Sequence, residues 1–318
     1  MSHIKTNISP SLIHSIKPII SLLKDKNIHE VYCNSNDLYI WSNGLNGKRR
    51  TEIKFDYDKR ETLLKFLADF NNTTINEDRP TVSGELPEEL MRCRLQGHIP
   101  PICRNPRFNM RVPPRVIFSL DDYADQGAIS NRRKVVVQKA IANYKNIIVA
   151  GSTGSGKTTL TNALIKHIGI CSPNDRLVIC EDTLELQPSV VDYEILRSNE
   201  RIHLSDLIYQ TLRITPDRIL IGEVRDSSAY EVLQAWNTGH GGGVCTVHAN
   251  SANDAFFRLR SLAEGKDGVT VSNLMIANAV DRILFIKKEN GVRKISQFVE
   301  PLINDHDKDI VEFKNHFV

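Results

Sequence analysis

Eight consecutive residues constrain this chain more than any others: Gly151-Ser152-Thr153-Gly154-Ser155-Gly156-Lys157-Thr158, a complete G-x-x-x-x-G-K-[ST] loop. The apolar run Asn146-Ile147-Ile148-Val149-Ala150 before it reads as a buried strand. After it, Leu160, Ala163, Leu164 and Ile168 fall at helical spacing. Strand, glycine loop and helix in that order place the loop in an α/β sheet at a helix N-terminus. Glycines there let backbone N–H groups turn inward around phosphate oxygens. Lys157 reaches β- and γ-phosphates as a point charge, and the Thr158 hydroxyl, with Thr159 beside it, is placed to ligate Mg²⁺. The ligand chemistry is therefore that of a nucleoside triphosphate with Mg²⁺.

The chain has 318 residues, room for two domains with ample core. Charged residues at 25% and hydrophobic residues at 41% are ordinary for a globular protein. A net charge of +3 gives no strong nucleic-acid signal. The six cysteines, at 33, 93, 103, 171, 180 and 245, have no C-x-x-C spacing and read as reduced, mostly buried thiols in a cytoplasmic protein. Met1-Ser2-His3-Ile4-Lys5 leads into an amphipathic stretch rather than a secretory signal, and no run approaches eighteen apolar residues. Membrane association is expected to be peripheral or through partners.

The first third carries no phosphate chemistry. Leu12, Ile13, Ile16, Ile19, Ile20 and Leu23 recur at helical spacing, with Pro18 expected to break or kink that helix. Strand-like runs at 30–33, 38–41 and 52–55 and a helix bearing Leu63, Leu64, Phe66, Leu67 and Phe70 predict a small α+β domain with a meander sheet. Residues 96–116 hold five prolines, at 100, 101, 106, 113 and 114, which predict extended chain. They also hold Arg104, Arg107, Arg111 and Arg115; a solvated linker and a basic edge facing phosphates are both open readings. The boundaries predicted are an N-terminal domain over 1–115, a linker over 116–130 and an ATPase-type α/β domain over 131–318. In the last, apolar runs at 177–180, 219–221 and 244–247 are strands, and helical stripes surround 204–212, 229–236 and 255–262. Pro216 and Gly239 mark helix ends, and Asn290-Gly291 between two apolar runs signals a hairpin. The segment 304–309 is charged and expected to be exposed.

Polar groups fall just past several strand ends, where open parallel sheets bind ligands: Glu181-Asp182, Gly222-Glu223 and His248. Hydrolysing a γ-phosphate needs a carboxylate to orient or deprotonate water and an acidic hold on Mg²⁺. Glu181 and Glu223 are the candidates, Glu223 also for the metal, because Gly222 stands where a Walker B aspartate usually ends the strand. His240 and His248 flank Gly239–Gly243. Too few ligands stand at zinc spacing for a metal centre, so His248 reads as a γ-phosphate sensor, a subunit contact or a satisfied histidine. The chain has no N-K-x-D guanine motif.

Four segments, in order, resemble the Walker A, aspartate, Walker B and histidine boxes of the secretion ATPase superfamily: Gly151–Thr158, Ile179–Leu186, Leu212–Arg225 and Ala235–Asn250. That superfamily drives type IV secretion, type II secretion and type IV pili. The run Ala235-Trp236-Asn237-Thr238-Gly239-His240 is most similar to VirB11-like conjugal-transfer ATPases of the TrbB type. So are Arg94–Pro101, Phe108–Arg111 and Phe118–Tyr123. The resemblance implies a RecA-like P-loop domain preceded by a PAS-like domain, a homohexamer, and ATP bound between the domains with catalytic Lys157, Glu181, Glu223 and His248. It makes Arg111 a nucleotide contact and leaves Arg213 and Arg225 as weaker candidates for completing a site or a subunit contact. It implies work beside inner-membrane secretion components, including other system ATPases, at the cytoplasmic face. A type IV pilus or type II secretion motor is the near alternative, and a DNA-translocating RecA-like ATPase the second. Two departures stand out: Gly241 where proline often follows the Gly-His pair, and Asp226-Ser227-Ser228 after Arg225, where a glutamate is common in third place.

Overall fold

The computed structural model describes residues 10–44, 47–113, 116–199, 201–289, 292–304, 306–308 and 310–317. Met1–Lys5, Pro114, Arg115, the Asn290-Gly291 turn, Asp305 and Asp309 lie outside the described residues. The chain folds as two compact units, Met1–Arg115 and Val116–Val318.

The first unit carries α1 (Pro10–Lys24), β1 (Ile28–Cys33), β2 (Tyr39–Gly44), β3 (Gly47–Lys54), α2 (Tyr57–Phe70), β4 (Thr81–Glu85), β5 (Arg94–His98) and β6 (Arg107–Arg111). Helix α1 continues through Pro18, against expectation. Ile16, Ile19 and Leu23 are each 1% exposed. Burying three such side chains, at about 1.5–3 kcal/mol each, outweighs the roughly 3 kcal/mol that an interior proline costs. The sheet is not one meander: its order is β3-β2-β1-β6-β5-β4, two antiparallel meanders joined where β1 pairs with β6. β5 and β6 flank residues 99–106, which turn and bend between the two strands rather than run extended as the prolines predicted. Arg60 of α2 is fully buried and donates to the carbonyls of Phe55 (2.9 Å), Asn34 (2.8 Å) and Pro106 (3.3 Å), and to that of Asp37, so its hydrogen bonds go to backbone oxygens, with the Tyr57 ring beside it.

The second unit begins with α3 (Leu120–Asp125) and α4 (Asn131–Ala142). Residues 116–130, expected as a linker, instead send Leu120, Tyr123, Ala128 and Ile129 into its core. Ser119 starts α3 with a capping box closed by Asp122, so Asp121-Asp122-Tyr123 is a helix start rather than linker. There follow β7 (Ile147–Gly151), α5 (Lys157–Cys171), β8 (Leu177–Glu181), β9 (Tyr193–Arg197), α6 (Leu204–Thr211), β10 (Arg218–Val224), α7 (Ala229–Asn237), β11 (Val244–His248), α8 (Ala252–Ala263), α9 (Asn273–Ala279), β12 (Arg282–Glu289), β13 (Val292–Ile303) and β14 (Val311–Asn315). The sheet runs β14-β13-β12-β7-β11-β10-β8-β9, parallel from β12 to β9, with β13 and β14 antiparallel. Its faces alternate along each central strand. Ile147, Val149, Leu177 and Ile179 pack with α3, α4 and α5. Ile148, Ala150, Cys180, Ile221 and Val247 pack with α6 to α9. Both faces are covered, which is why these strands are unbroken apolar runs.

At the amino ends of the strands, Arg218 is 0% exposed. It pairs with Asp175 at 2.6 Å and donates to the Ile141 carbonyl (3.1 Å), the Gly242 carbonyl (3.4 Å) and the Ser172 hydroxyl (3.1 Å). Its guanidinium stacks 3.9 Å from the Tyr144 ring centroid. Gly242, at φ +79°, is held to glycine: a Cβ there would lie 2.4 Å from Arg218 Nη1.

Candidate functional site

Because β7, β8, β10 and β11 are parallel, their carboxyl ends share one edge, and that edge collects Gly151, Glu181, Glu223 and His248. The phosphate loop leaves β7 at Gly151, where a Cβ would meet the Ile286 carbonyl at 2.4 Å. Gly154 (φ +72°) and Gly156 (φ +99°) take left-handed conformations that turn the chain into α5. Ser152, Thr153 and Gly154 are exposed; Thr158 and Thr159 are half-buried in the first turn of α5. The Ser155 hydroxyl is buried and, among the described residues, has no hydrogen-bond partner. Lys157 is buried, and its Nζ donates to the carbonyls of Gly151 (3.0 Å) and Ser152 (3.2 Å).

The same ammonium lies 3.1 Å from His248 Nδ1, and His248 Nε2 lies 2.8 Å from Glu223 Oε1 without an aligned hydrogen bond. Glu223 Oε2 accepts from Arg225 Nε at 2.8 Å and also from its Nη2. Lys157, His248 and Glu223 thus form one continuous polar chain across β7, β11 and β10. Glu181, on the next strand, is 1% exposed, and its Oε1 accepts the backbone N–H groups of Glu185 (3.1 Å) and Leu186 (3.0 Å). Those bonds fix the carboxylate, and Gly222 makes space for it: a Cβ at 222 would sit 3.0 Å from Glu181 Cγ and 3.1 Å from its Oε1. That is a physical reason for glycine where an aspartate is usual. Asn162 of α5 ties the aspartate-box loop to the phosphate helix, donating to the Glu185 carbonyl (2.9 Å) and accepting from Gln187 N–H (2.8 Å).

Burial pushes the His248 pKa below that of a free imidazole; Glu223 opposes this, while Lys157, Arg225 and Arg258 add to it. At neutral pH the ring is then neutral, with Nδ1 accepting from Lys157 and Nε2–H facing Glu223, a tautomer assigned from those partners. Protonation would put two cations 3.1 Å apart. Phosphate-release activity is therefore expected to fall on acidification, with its midpoint below the ordinary histidine value of about 6.5. His248→Gln is expected to remove that limb. A limb left unchanged by the substitution would assign it elsewhere.

Arg111, in the first unit, ends β6, exposed, in register with Glu30 and Arg94. Within the second unit, not every candidate gathers at this edge. Arg213 is exposed, with its guanidinium 5.1 Å from the Tyr209 ring centroid. His240 and Gly239–Gly243 precede β11, at the opposite end of that strand from His248. Those glycines serve packing at the amino edge, where Cβ atoms at 242 and 243 would collide with Arg218 and Trp236.

The cradle fits a nucleoside triphosphate: a buried ammonium, the uncommitted Ser155 hydroxyl, two left-handed glycines and a helix N-terminus converge on it. Among the described residues no group of three or more His, Cys, Asp or Glu side chains is arranged to hold a metal ion.

The family model for Type II/IV secretion system proteins matches residues 15–300. The conjugal transfer protein TrbB of Rhizobium radiobacter is 37% identical over 248 residues, 77% of this chain and 76% of that protein. The type IV secretion system protein VirB11 of Bartonella quintana is 29% identical, over 90% of this chain and 92% of that one. In fold, the Legionella pneumophila ATPase DotB superposes with a TM-score of 0.64 at 17% identity, covering 96% of this chain and 84% of that one. With one residue from each of the four boxes, Gly151, Glu181, Glu223 and His248, on one edge of a RecA-like sheet, the chain belongs to the type II/IV secretion system protein family, as a VirB11-like type IV secretion ATPase.

Proposed function

We propose that this ATPase is the homohexameric motor of a type IV secretion or conjugal transfer apparatus, hydrolysing ATP to power substrate translocation or pilus assembly. The observation that carries the reading is the close succession Lys157–His248–Glu223, 3.1 Å and 2.8 Å between neighbouring groups, which runs from the phosphate loop to a carboxylate two strands away. Lys157 neutralises the β- and γ-phosphates. Glu223 orients and deprotonates the attacking water, with the fixed Glu181 carboxylate beside it. His248 reports the γ-phosphate, because its Nδ1 shares the ammonium that the phosphate recruits. Thr158 and Glu223 would hold Mg²⁺, which when bound would supply positive charge to the phosphate oxygens.

The N-terminal domain over 1–115 is read as PAS-like. It brings Arg111 to the nucleotide and moves against the ATPase domain as hydrolysis proceeds. Among the described residues no helix is long and apolar enough to cross a membrane. In this proposal the ring works peripherally at the cytoplasmic face of the inner membrane, against the membrane components of its system. Size-exclusion chromatography with light scattering, with and without ATP and beside a phosphate-release assay, tests this. A hexamer that turns over ATP is expected; a strict monomer at high concentration would overturn the ring.

A further inference from the structure

The hairpin of β12 and β13 stands beside the phosphate loop on the side away from Glu223 and His248. β12 pairs with β7 up to Phe285 opposite Ala150 and then continues to Glu289, so its last residues rise past the start of the loop. Ile286 and Ile295 are cross-strand partners, both buried on the sheet face that carries α5. Two residues farther out on each strand, Lys288 and Arg293 are also partners, so strand alternation directs them to that same face. Arg293 is exposed, yet it leans on the loop: a Cβ at Gly156 would lie 3.0 Å from both its Cδ and its Nε. Its charge is also felt at the buried Tyr123 phenol of α3, where it works against the rise that burial causes. Among the described residues it forms no ion pair.

We propose that Arg293 is a nucleotide-binding residue, gripping the α- and β-phosphates of ATP and ADP from the β12 side of the loop. An unpaired guanidinium fork over a phosphate loop matches two phosphate oxygens at once. The side it occupies decides which phosphates. The hydrolytic groups lie toward β11 and β10, so the γ-phosphate belongs there, and a cation on the opposite flank meets the part of the chain that ATP and ADP share. Arg293 therefore holds substrate and product alike, and the hairpin, with Lys288 behind it, is the basic wall of the site.

This inference rests on the nucleotide-binding reading above, and the experiment separates the two. Binding of ATP, ADP and adenosine is titrated to the full chain as wild type, Arg293→Ala, Arg293→Lys and Lys157→Ala, with the thermal midpoint of each free protein alongside. Arg293→Ala is expected to raise the Kd for ATP and ADP by the same factor, about tenfold. Adenosine affinity and the thermal midpoint should stay put, and Arg293→Lys should recover part of the loss. Wild-type ADP affinity in Arg293→Ala, with Lys157→Ala impaired, would overturn Arg293 and leave the nucleotide site standing. A drop in midpoint with equal losses for adenosine would make Arg293 a packing residue and overturn the phosphate contact. Wild-type protein that binds neither ATP nor ADP would remove the underlying reading itself.

Discussion

Lys157→Ala is expected to lower ATP hydrolysis by about a thousandfold or more, the range seen when a cation on a transferring phosphoryl group is lost. The size of the effect follows from burial. Lys157 is 7% exposed, so its charge acts where water screens little. Among the described residues no other lysine or arginine shares its place inside the loop: Arg225 is spent on Glu223, and Arg293 leans on the outer flank at Gly156. The substitution also takes the donor from the Gly151 and Ser152 carbonyls and from His248 Nδ1, so the relay to Glu223 loses its anchor. Phosphate release at saturating ATP measures the loss, and a circular dichroism melt verifies that the variant is folded. Hydrolysis at the wild-type rate in a folded Lys157→Ala protein would sink the assignment of this loop as the catalytic site.

The central strands and the edge they share were legible because burial on both faces leaves them as apolar runs, with polar exceptions such as Thr246 whose hydroxyl is bonded to a neighbouring strand carbonyl. The first carboxylate or imidazole after each run then marks its carboxyl end: Glu181 after Leu177–Cys180, Glu223 after Ile219–Ile221, His248 after Val244–Val247. β9 escaped notice because it is a sheet edge, with Tyr193 and Glu194 exposed and no alternation to read. β4, β5 and β6 were hidden by composition: they are five-residue runs interrupted by Gly, Arg and other polar residues, and β5 and β6 pair across a proline segment. The strand expected at 244–247 is β11, and it parts Gly239–Gly243, at its amino end, from His248 at its carboxyl end. Arg218 and Arg293 carry no local signature. Each matters through a contact distant in sequence, with Gly242 and Gly156 respectively, that sheet pairing creates.

Arg218→Met tests the amino edge of the sheet, and its expected effect is on stability: a loss of about 3–5 kcal/mol, typical of breaking one side of a buried pair. The side chains of Arg218 and Asp175 are 1% and 13% exposed, so methionine would strand Asp175 with only the Tyr144 hydroxyl, 2.9 Å away, as donor. The carbonyls of Ile141 and Gly242 lose a donor in the same step. Tyr144 loses its reason for an unusual backbone: at φ +55°, just after α4, it takes the left-handed position that glycine favours, and the position lays its ring on the guanidinium. For a body of this size the midpoint should fall by about 2–4 °C per kcal/mol. Adding Asp175→Asn should restore part of the loss, because the uncompensated charge goes with it. The nucleotide site should not feel the change directly, since β10 spans seven residues, roughly 20 Å of strand, between Arg218 and the Glu223 end. Below its lowered midpoint, Arg218→Met should therefore bind ADP like the wild type, whereas Lys157→Ala should lose nucleotide chemistry at every temperature. Weakened ADP binding in fully folded Arg218→Met protein would mean that the two edges of the sheet are coupled.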